Sequence, residues 1–248
     1  MLQMQTAKHG PDLRGGGAFV NLAKFITRNW RLSISVMLML AVTSYGVNLA
    51  VASSIPLTAG KMADLLISLI TVIPTYLIGY YFVTKLMLAE GMTDQGLTAK
   101  GMFSFLSAGA LILAGGIYCA VLSTLQGINV FVRIILVVPA AIVLIRCLLA
   151  PCFVVANQSA PIDSLKASWS VTKGYGWPIF ISLALLGVLV KLIAGSSALF
   201  VGTEKLGGQV LTQLGDSASN VVSFCFFVGI YAVLVASTSK PSVQQQSV

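Results

Sequence analysis

Residues 133–177 decide the fold, and they read RIILVVPAAIVLIRCLLAPCFVVANQSAPIDSLKASWSVTKGYGW. A long apolar helix that contains Pro139 and Arg146 comes first, and a break bounded by Pro151 and Pro161 follows it. A short amphipathic segment then leads through a glycine-rich, aromatic turn into the next apolar run. This order is typical of a chain that crosses a membrane, turns at its surface and crosses again.

The composition excludes an ordinary soluble domain. Of the 248 residues, 57% are hydrophobic and 9% are charged, and the mean hydropathy is +0.93. Soluble domains carry about 25% charged residues, so this chain has too few polar side chains to cover a surface that faces water. The net charge of +8 does not indicate a nucleic-acid partner, because the basic residues lie near the ends of apolar runs, where they meet anionic lipid headgroups.

Six apolar runs are each long enough to cross a hydrocarbon core about 30 Å thick. The predicted spans are residues 32–52, 65–89, 103–125, 130–150, 178–200 and 217–237. They form a single transmembrane domain over residues 19–239, between a mobile polar tail at 1–18 and a disordered tail at 240–248. The predicted fold class is therefore all-α, a polytopic membrane protein with six transmembrane helices and two cytoplasmic interfacial helices.

Two details of packing are also predicted for the third and fourth spans. The connection at residues 126–129 is so short that the two spans form an antiparallel hairpin. Small residues in the third span are expected to permit close helix contact at the spacings Ala110/Ala114 and Gly116/Ala120.

Two amphipathic segments precede spans, and each is predicted to lie on the cytoplasmic surface of the membrane. The apolar face of residues 19–30 is formed by Phe19, Leu22, Ile26 and Trp30. The apolar face of residues 161–173 is formed by Ile162, Leu165 and Trp169, and its polar face by Asp163, Lys166, Ser170 and Lys173. Gly174 is expected to end the second helix in the left-handed conformation. For the first segment, packing on a partner is the alternative.

The distribution of Lys and Arg predicts the orientation. With six spans, eleven of the 15 basic residues lie on the side of the two termini and four lie on the other side. Both termini are therefore predicted to be cytoplasmic. Five of these cations are expected to contact anionic headgroups at the inner surface: Lys24, Arg28, Arg31, Lys166 and Lys173.

Arg146 and Lys191 are charged residues within apolar runs, a costly placement that often marks function. In one interpretation each side chain extends to the lipid headgroups, Arg146 at the cytoplasmic end and Lys191 at the outer end, where the fifth helix is expected to yield near residues 195–197. In the other, each binds an anionic headgroup or substrate, and Arg133 is a third candidate. No acid is expected deep in a span to pair with them, since Asp216 precedes the sixth run.

Catalytic and cofactor motifs do not occur in the sequence, which contains no HExxH, Walker A, GxSxG or GxGxxG pattern. The single histidine, His9, lies in the polar tail. The four cysteines lie in or beside apolar runs and are expected to be packing residues: Cys119, Cys147, Cys152 and Cys225. We therefore expect no enzyme, no metal and no cofactor.

Residues 137–177, which we call the elbow, resemble the signature of the YciC-like proteins and of the membrane domain of glycerophosphodiester phosphodiesterases. The residues that carry the match are Pro139, Arg146, Pro151, Ser164, Leu165, Ser168, Trp169, Thr172, Lys173, Gly174 and Trp177. One departure is Ala140, where the family often has glycine. The resemblance implies a bacterial six-span inner-membrane protein. It implies no enzymatic activity, because in the phosphodiesterases a separate soluble barrel carries catalysis and no such domain is expected here.

Two functional hypotheses follow. The first is a non-enzymatic inner-membrane protein that acts as a scaffold, assembly or envelope-maintenance partner, in contact with lipids and with a membrane-protein partner or a second copy. The alternative is a small transporter or lipid-handling protein that uses Arg146 and Lys191 in a polar cavity, and the polar Asn48 in the first span motivates it. An enzyme that acts on lipid is disfavoured by the lack of intramembrane histidines and acids.

Overall fold

The computed structural model describes residues 17–54, 60–124, 130–200 and 206–238, and these residues form helices and no strand. The helices are α1 (Gly17–Arg28), α2 (Trp30–Ser54), α3 (Gly60–Ala89), α4 (Ala99–Thr124), α5 (Val130–Cys147), α6 (Ala150–Asn157), α7 (Pro161–Val171), α8 (Gly176–Phe200) and α9 (Leu206–Thr238). The predicted tails lie outside the described residues, except that residues 17 and 18 already belong to α1.

Within the described residues, five helical segments are long and apolar enough to cross a membrane. They are Trp30–Ala50, Ile70–Ala89, Ile135–Asn157, Gly176–Ile193 and Val210–Val235. A sixth apolar segment, Ala99–Gly115, is shorter over the described part of the chain. These segments follow the predicted runs in order, and the protein is an all-α, multi-pass membrane protein, as predicted.

The elbow contains a helix that the sequence analysis missed. The chain was expected to be broken from Pro151 to Pro161, but α5 ends at Cys147 and α6 begins at Ala150, with Pro151 in its first turn. Proline favours this position because the first turn of a helix does not need its N–H. The predicted break is therefore wrong, because between Pro151 and Pro161 only residues 158–160 leave the helical path, beginning with Gln158, whose φ is 50°.

α1 packs on α9 and does not only rest on the membrane surface. Its buried residues are Ala18, Leu22 and Phe25. A Cβ atom at Gly229 of α9 would lie 3.1 Å from the Ala18 carbonyl oxygen, so glycine permits this close approach. The buried face of α1 is therefore rotated from the predicted apolar face. Trp30, which was predicted to belong to that face, is 53% exposed and is the first residue of α2. The partner of this helix is part of the same chain.

The buried face of α7 also differs from the prediction. Ser164, Ser168 and Thr172 are fully buried, whereas Ile162 and Trp169 are 65% and 45% exposed. These three hydroxyl residues, which we call the hydroxyl stripe, lie between the predicted apolar and polar faces of α7. The stripe, and not the predicted apolar face, is the side of α7 that packs against the rest of the chain. The prediction for Gly174 is confirmed, since its φ is 90°.

One end of the bundle, which we call the closed end, is formed by α1, α6, α7 and the loop at residues 90–98. Arg28 Nη1 donates a hydrogen bond to Glu90 Oε2 over 3.2 Å, which joins α1 to the end of α3. Thr93 Oγ1 donates to the Ala156 carbonyl of α6 over 3.2 Å. Several of the largest fully buried side chains belong to the parts of α3 and α9 next to these elements: Phe82, Leu86, Met87, Phe226, Ile230 and Leu234.

The small residues of α4 pack at positions other than those predicted. Ala110 and Ala114 are exposed, so the expected contact through this pair is wrong. Gly109 is buried instead, and the ring of Tyr76 occupies the space that a Cβ atom at this position would need. Gly115 faces Leu144 of α5, which agrees with the predicted hairpin. The side chains of residues 116 and 120 and the turn at 126–129 lie outside the described residues.

Candidate functional site

A polar cavity of 400 Å³ lies between α2, α3 and α9. Its lining is formed by Ser44 and Asn48 of α2, Thr71, Val72, Thr75 and Tyr76 of α3, and Gln213, Asp216 and Asn220 of α9. On each helix the polar residues recur three or four positions apart, so each helix turns one polar stripe toward the same space. We call this space the polar cavity.

Asp216 is an acid within a membrane-spanning helix, contrary to the prediction. The sixth run was expected to begin at residue 217, but α9 begins at Leu206 and its apolar segment at Val210. Gln213, Asp216 and Asn220 have polar side chains that line the cavity, and they lower the hydropathy of this part of the sequence. The predicted span therefore began too late, because the residues that form the candidate site made the first turns of α9 look too polar for a membrane span.

The polar side chains of the cavity fall into two groups. Thr75 Oγ1 donates to the Thr71 carbonyl over 2.8 Å, and the Thr75 hydroxyl is thereby satisfied within α3. Among the residues that the structure describes, no hydrogen bond involves the side chains of Asn48, Gln213, Asp216 or Asn220. The second group is therefore free to bind water or a ligand.

Lys191 of α8 is exposed, and no ion pair joins it to Asp216 among the described residues. The helix α8 continues to Phe200, but its membrane-crossing segment over the described residues ends at Ile193, close to the predicted end near residues 195–197 and two residues after Lys191. Asp216 is the seventh residue of the segment Val210–Val235, and among the described residues no acid deep in a span pairs with Lys191. Lys191 does not line the polar cavity itself.

Arg146 lies elsewhere, beside an opening of 430 Å³ between α5 and α8 that we call the apolar cleft. Its other lining residues include Val138, Ala141, Ile142, Trp177 and Phe180. The guanidinium carbon of Arg146 is 5.7 Å from the centre of the Trp169 ring. Arg146 Nη1 is buried, and among the described residues it has no hydrogen-bond partner.

The candidate cations thus occupy different places. Arg146 and Lys191 do not share one polar cavity, and the side chain of Arg133 lies outside the described residues. The five predicted surface cations are all exposed: Lys24, Arg28, Arg31, Lys166 and Lys173. The sequence did contain a signal for the missed cavity residues, namely polar pairs four apart in an apolar run or across its start, such as Ser44/Asn48 and Asp216/Asn220.

Metal ligands and reactive cysteines are the other kinds of candidate site that we considered in the described part of the chain. That part contains no group of three or more His, Cys, Asp and Glu residues arranged to hold a metal ion. Cys152 and Cys225 are free and buried in the core, as predicted for packing residues, and Cys147 is free and partly buried. The side chain of Cys119 and all of His9 lie outside the described residues.

Comparison with known proteins adds no relative. No family model, curated protein or solved structure matches this chain. The resemblance of the elbow to the YciC-like proteins therefore stays a prediction.

Proposed function

We propose that the protein is a small transporter or lipid-handling protein that binds a cationic polar ligand in the polar cavity. The observation that carries the proposal is Asp216, an acid within an apolar span that lines an open space. Charged side chains are costly in hydrocarbon, and those that occur within spans line substrate or ion pathways or pair with other charges.

The lining of the polar cavity supports this class of ligand. Its volume of 400 Å³ falls in the range of about 300–1,000 Å³ that is typical of small-molecule sites. The amides of Asn48, Gln213 and Asn220 offer both donors and acceptors, whereas Asp216 offers acceptors only. A ligand that joins an ammonium group to hydroxyl or amide groups matches this set, whether it is a free solute or a lipid headgroup.

Lys191 of α8 does not line the polar cavity, and no ion pair joins it to Asp216 among the described residues. The carboxylate of Asp216 therefore has no cation within 4.0 Å in the described part of the chain, and an ammonium group of a ligand would supply one.

Thermal unfolding of the purified protein in detergent tests the proposal, with choline and ethanolamine as probes. We expect either probe to raise the unfolding temperature at concentrations at which uncharged glycerol has no effect, and we expect Asp216→Asn to remove the response. Asp163→Asn is the matched control, because Asp163 is exposed on α7, away from the cavity. An unresponsive wild-type protein, or equal responses in wild type and Asp216→Asn, would contradict the proposal.

We propose a second candidate, a non-enzymatic scaffold, assembly or envelope-maintenance role. It is favoured by the closed end, where Val20 and Ile162 are each 65% exposed beside exposed cations. Native mass spectrometry from a mild detergent should then detect a stoichiometric partner or a second copy, and the double variant Val20→Ser, Ile162→Ser should lose it. A monomer that carries lipid alone would count against this role.

We propose the bacterial cytoplasmic membrane as the location, with both termini in the cytoplasm. The exposed cations at the closed end support this orientation, because basic residues are retained on the cytoplasmic side. A cysteine added at either terminus should resist a membrane-impermeant thiol reagent in intact cells and react after the cells are opened. Reaction in intact cells would reverse the orientation.

A further inference from the structure

The apolar cleft between α5 and α8 is open to the surroundings of the bundle. Val138 and Ile142 on α5 are 48% and 50% exposed, and Trp177 and Phe180 on α8 are 71% and 45% exposed. Two residues with little or no side chain, Ala141 and Gly176, leave the space between these walls. Apart from Arg146, the side chains that line the cleft are apolar, so they suit an elongated apolar molecule.

Arg146 places one positive charge at the end of this cleft. It precedes the last residue of α5, and no acidic side chain among the described residues lies within 4.0 Å of it. Trp169 stacks near the guanidinium but carries no charge that would neutralise it. Arg146 is partly exposed, and its guanidinium donates no hydrogen bond to the described residues, so it retains N–H groups for which a ligand on the cleft can supply acceptors.

The level of Arg146 in the bundle indicates what kind of ligand this is. The aromatic pair Trp177 and Phe180, with ring centres 5.5 Å apart, lies beside it at the start of α8. Exposed Trp residues at the ends of spans mark the level of lipid headgroups. From this level the cleft extends along α5 to Val138, near the middle of that helix. A molecule with an anionic head and an apolar tail has the matching shape.

We propose that the apolar cleft binds one anionic phospholipid. Its phosphate accepts hydrogen bonds from the Arg146 guanidinium, and one acyl chain lies between α5 and α8 along Val138, Ala141 and Ile142. The charge of Arg146 selects against zwitterionic lipid, because an uncompensated guanidinium favours a net negative headgroup. This site is separate from the polar cavity and does not depend on the function proposed there.

Native mass spectrometry in the presence of phosphatidylglycerol, or of phosphatidylcholine with the same acyl chains, tests the proposal. We expect wild type to retain one phosphatidylglycerol in preference to phosphatidylcholine. Arg146→Gln should weaken retention of phosphatidylglycerol about tenfold or more, as expected for the loss of charged hydrogen bonds. Lys173→Gln is the matched control, because Lys173 is an exposed cation near the same end and does not line the cleft.

A second variant keeps the test decisive if Arg146→Gln does not fold. Ala141→Phe fills the cleft from its wall and leaves Arg146 in place, and it should also lose the bound phosphatidylglycerol. Retention of phosphatidylglycerol by this variant or by Arg146→Gln at the wild-type level would overturn the proposal. So would equal retention of the two lipids by wild type, or a second protein copy on the cleft in place of lipid.

Discussion

The closed end and the polar cavity both place polar side chains among apolar helices, but they treat them differently. At the closed end, Ser168 Oγ donates to the Arg146 carbonyl over 2.6 Å, and Thr172 Oγ1 donates to the Ser168 carbonyl over 2.7 Å. In the polar cavity, Asn48 and Asp216 have no hydrogen-bond partner among the described residues. Satisfied polar groups fix the packing of helices, whereas open ones are available to a ligand.

The backbone explains why the closed end needs these hydroxyls. The last four carbonyl groups of a helix have no N–H partner within it, and α5 ends at Cys147 before Pro151, which has no N–H to offer. Ser168 supplies a donor to one of these carbonyls. The arrangement is not complete, because Ser33 Oγ and Thr84 Oγ1 are buried without a partner among the described residues.

The largest effect should come from added bulk at the closed end. Gly229→Leu would place a side chain against the backbone of α1, where a Cβ alone lies 3.1 Å from the Ala18 carbonyl oxygen. We expect a loss of about 2–3 kcal/mol in the free energy of unfolding, measured by denaturation in mixed micelles.

Gly187→Leu is the matched control for this substitution. A Cβ at Gly187 of α8 would meet no atom within 4 Å, so the free energy of unfolding should stay the same or rise slightly. An equal loss in both variants would mean that the close packing of α1 on α9 does not stabilise the fold.

The next effect concerns the hydroxyl stripe of α7. Ser168→Ala leaves the Arg146 carbonyl with only the weak donor Thr172 Oγ1, 3.5 Å away, and should cost about 1–2 kcal/mol of unfolding free energy. Ser170→Ala is the control, because Ser170 is exposed and bonds only to the Ala167 carbonyl of its own helix. If the two variants unfold alike, the stripe does not anchor the elbow.

These hydroxyls show what sequence reasoning can and cannot reach. The six apolar runs and the left-handed stop at Gly174 were predictable, because hydropathy and glycine conformation are local properties. The buried face of α7 was not predictable, since the partner of Ser168 is the carbonyl of Arg146, a backbone atom that every residue possesses.

The polar cavity was hidden for a different reason. Its lining comes from α2, α3 and α9, so only the tertiary structure brings Asn48 and Asp216 to one space. The polar stripe on α9 also shortened the predicted sixth span. A search for polar pairs four apart in apolar runs would have found the three stripes, but not that they face one another.

A smaller effect is expected from the ion pair of the closed end. Arg28 is 56% exposed in its side chain, so Arg28→Gln should cost no more than about 1 kcal/mol, and high salt should reduce the difference from wild type. Denaturation in mixed micelles at low and high salt measures both. A salt-independent loss of several kcal/mol would show that Arg28 does more than pair with Glu90.

The smallest effect separates the two regions most directly, because it compares two asparagines. The Asn29 side chain of the closed end donates to Glu90 Oε1 over 2.9 Å, whereas the Asn48 side chain of the polar cavity makes no hydrogen bond among the described residues. Asn48→Leu should therefore change the free energy of unfolding by less than about 0.5 kcal/mol, while Asn29→Leu should cost about 1–2 kcal/mol. If Asn48→Leu proved the more damaging, Asn48 would be part of the framework of the bundle, and the polar cavity would lose its claim to be a binding site.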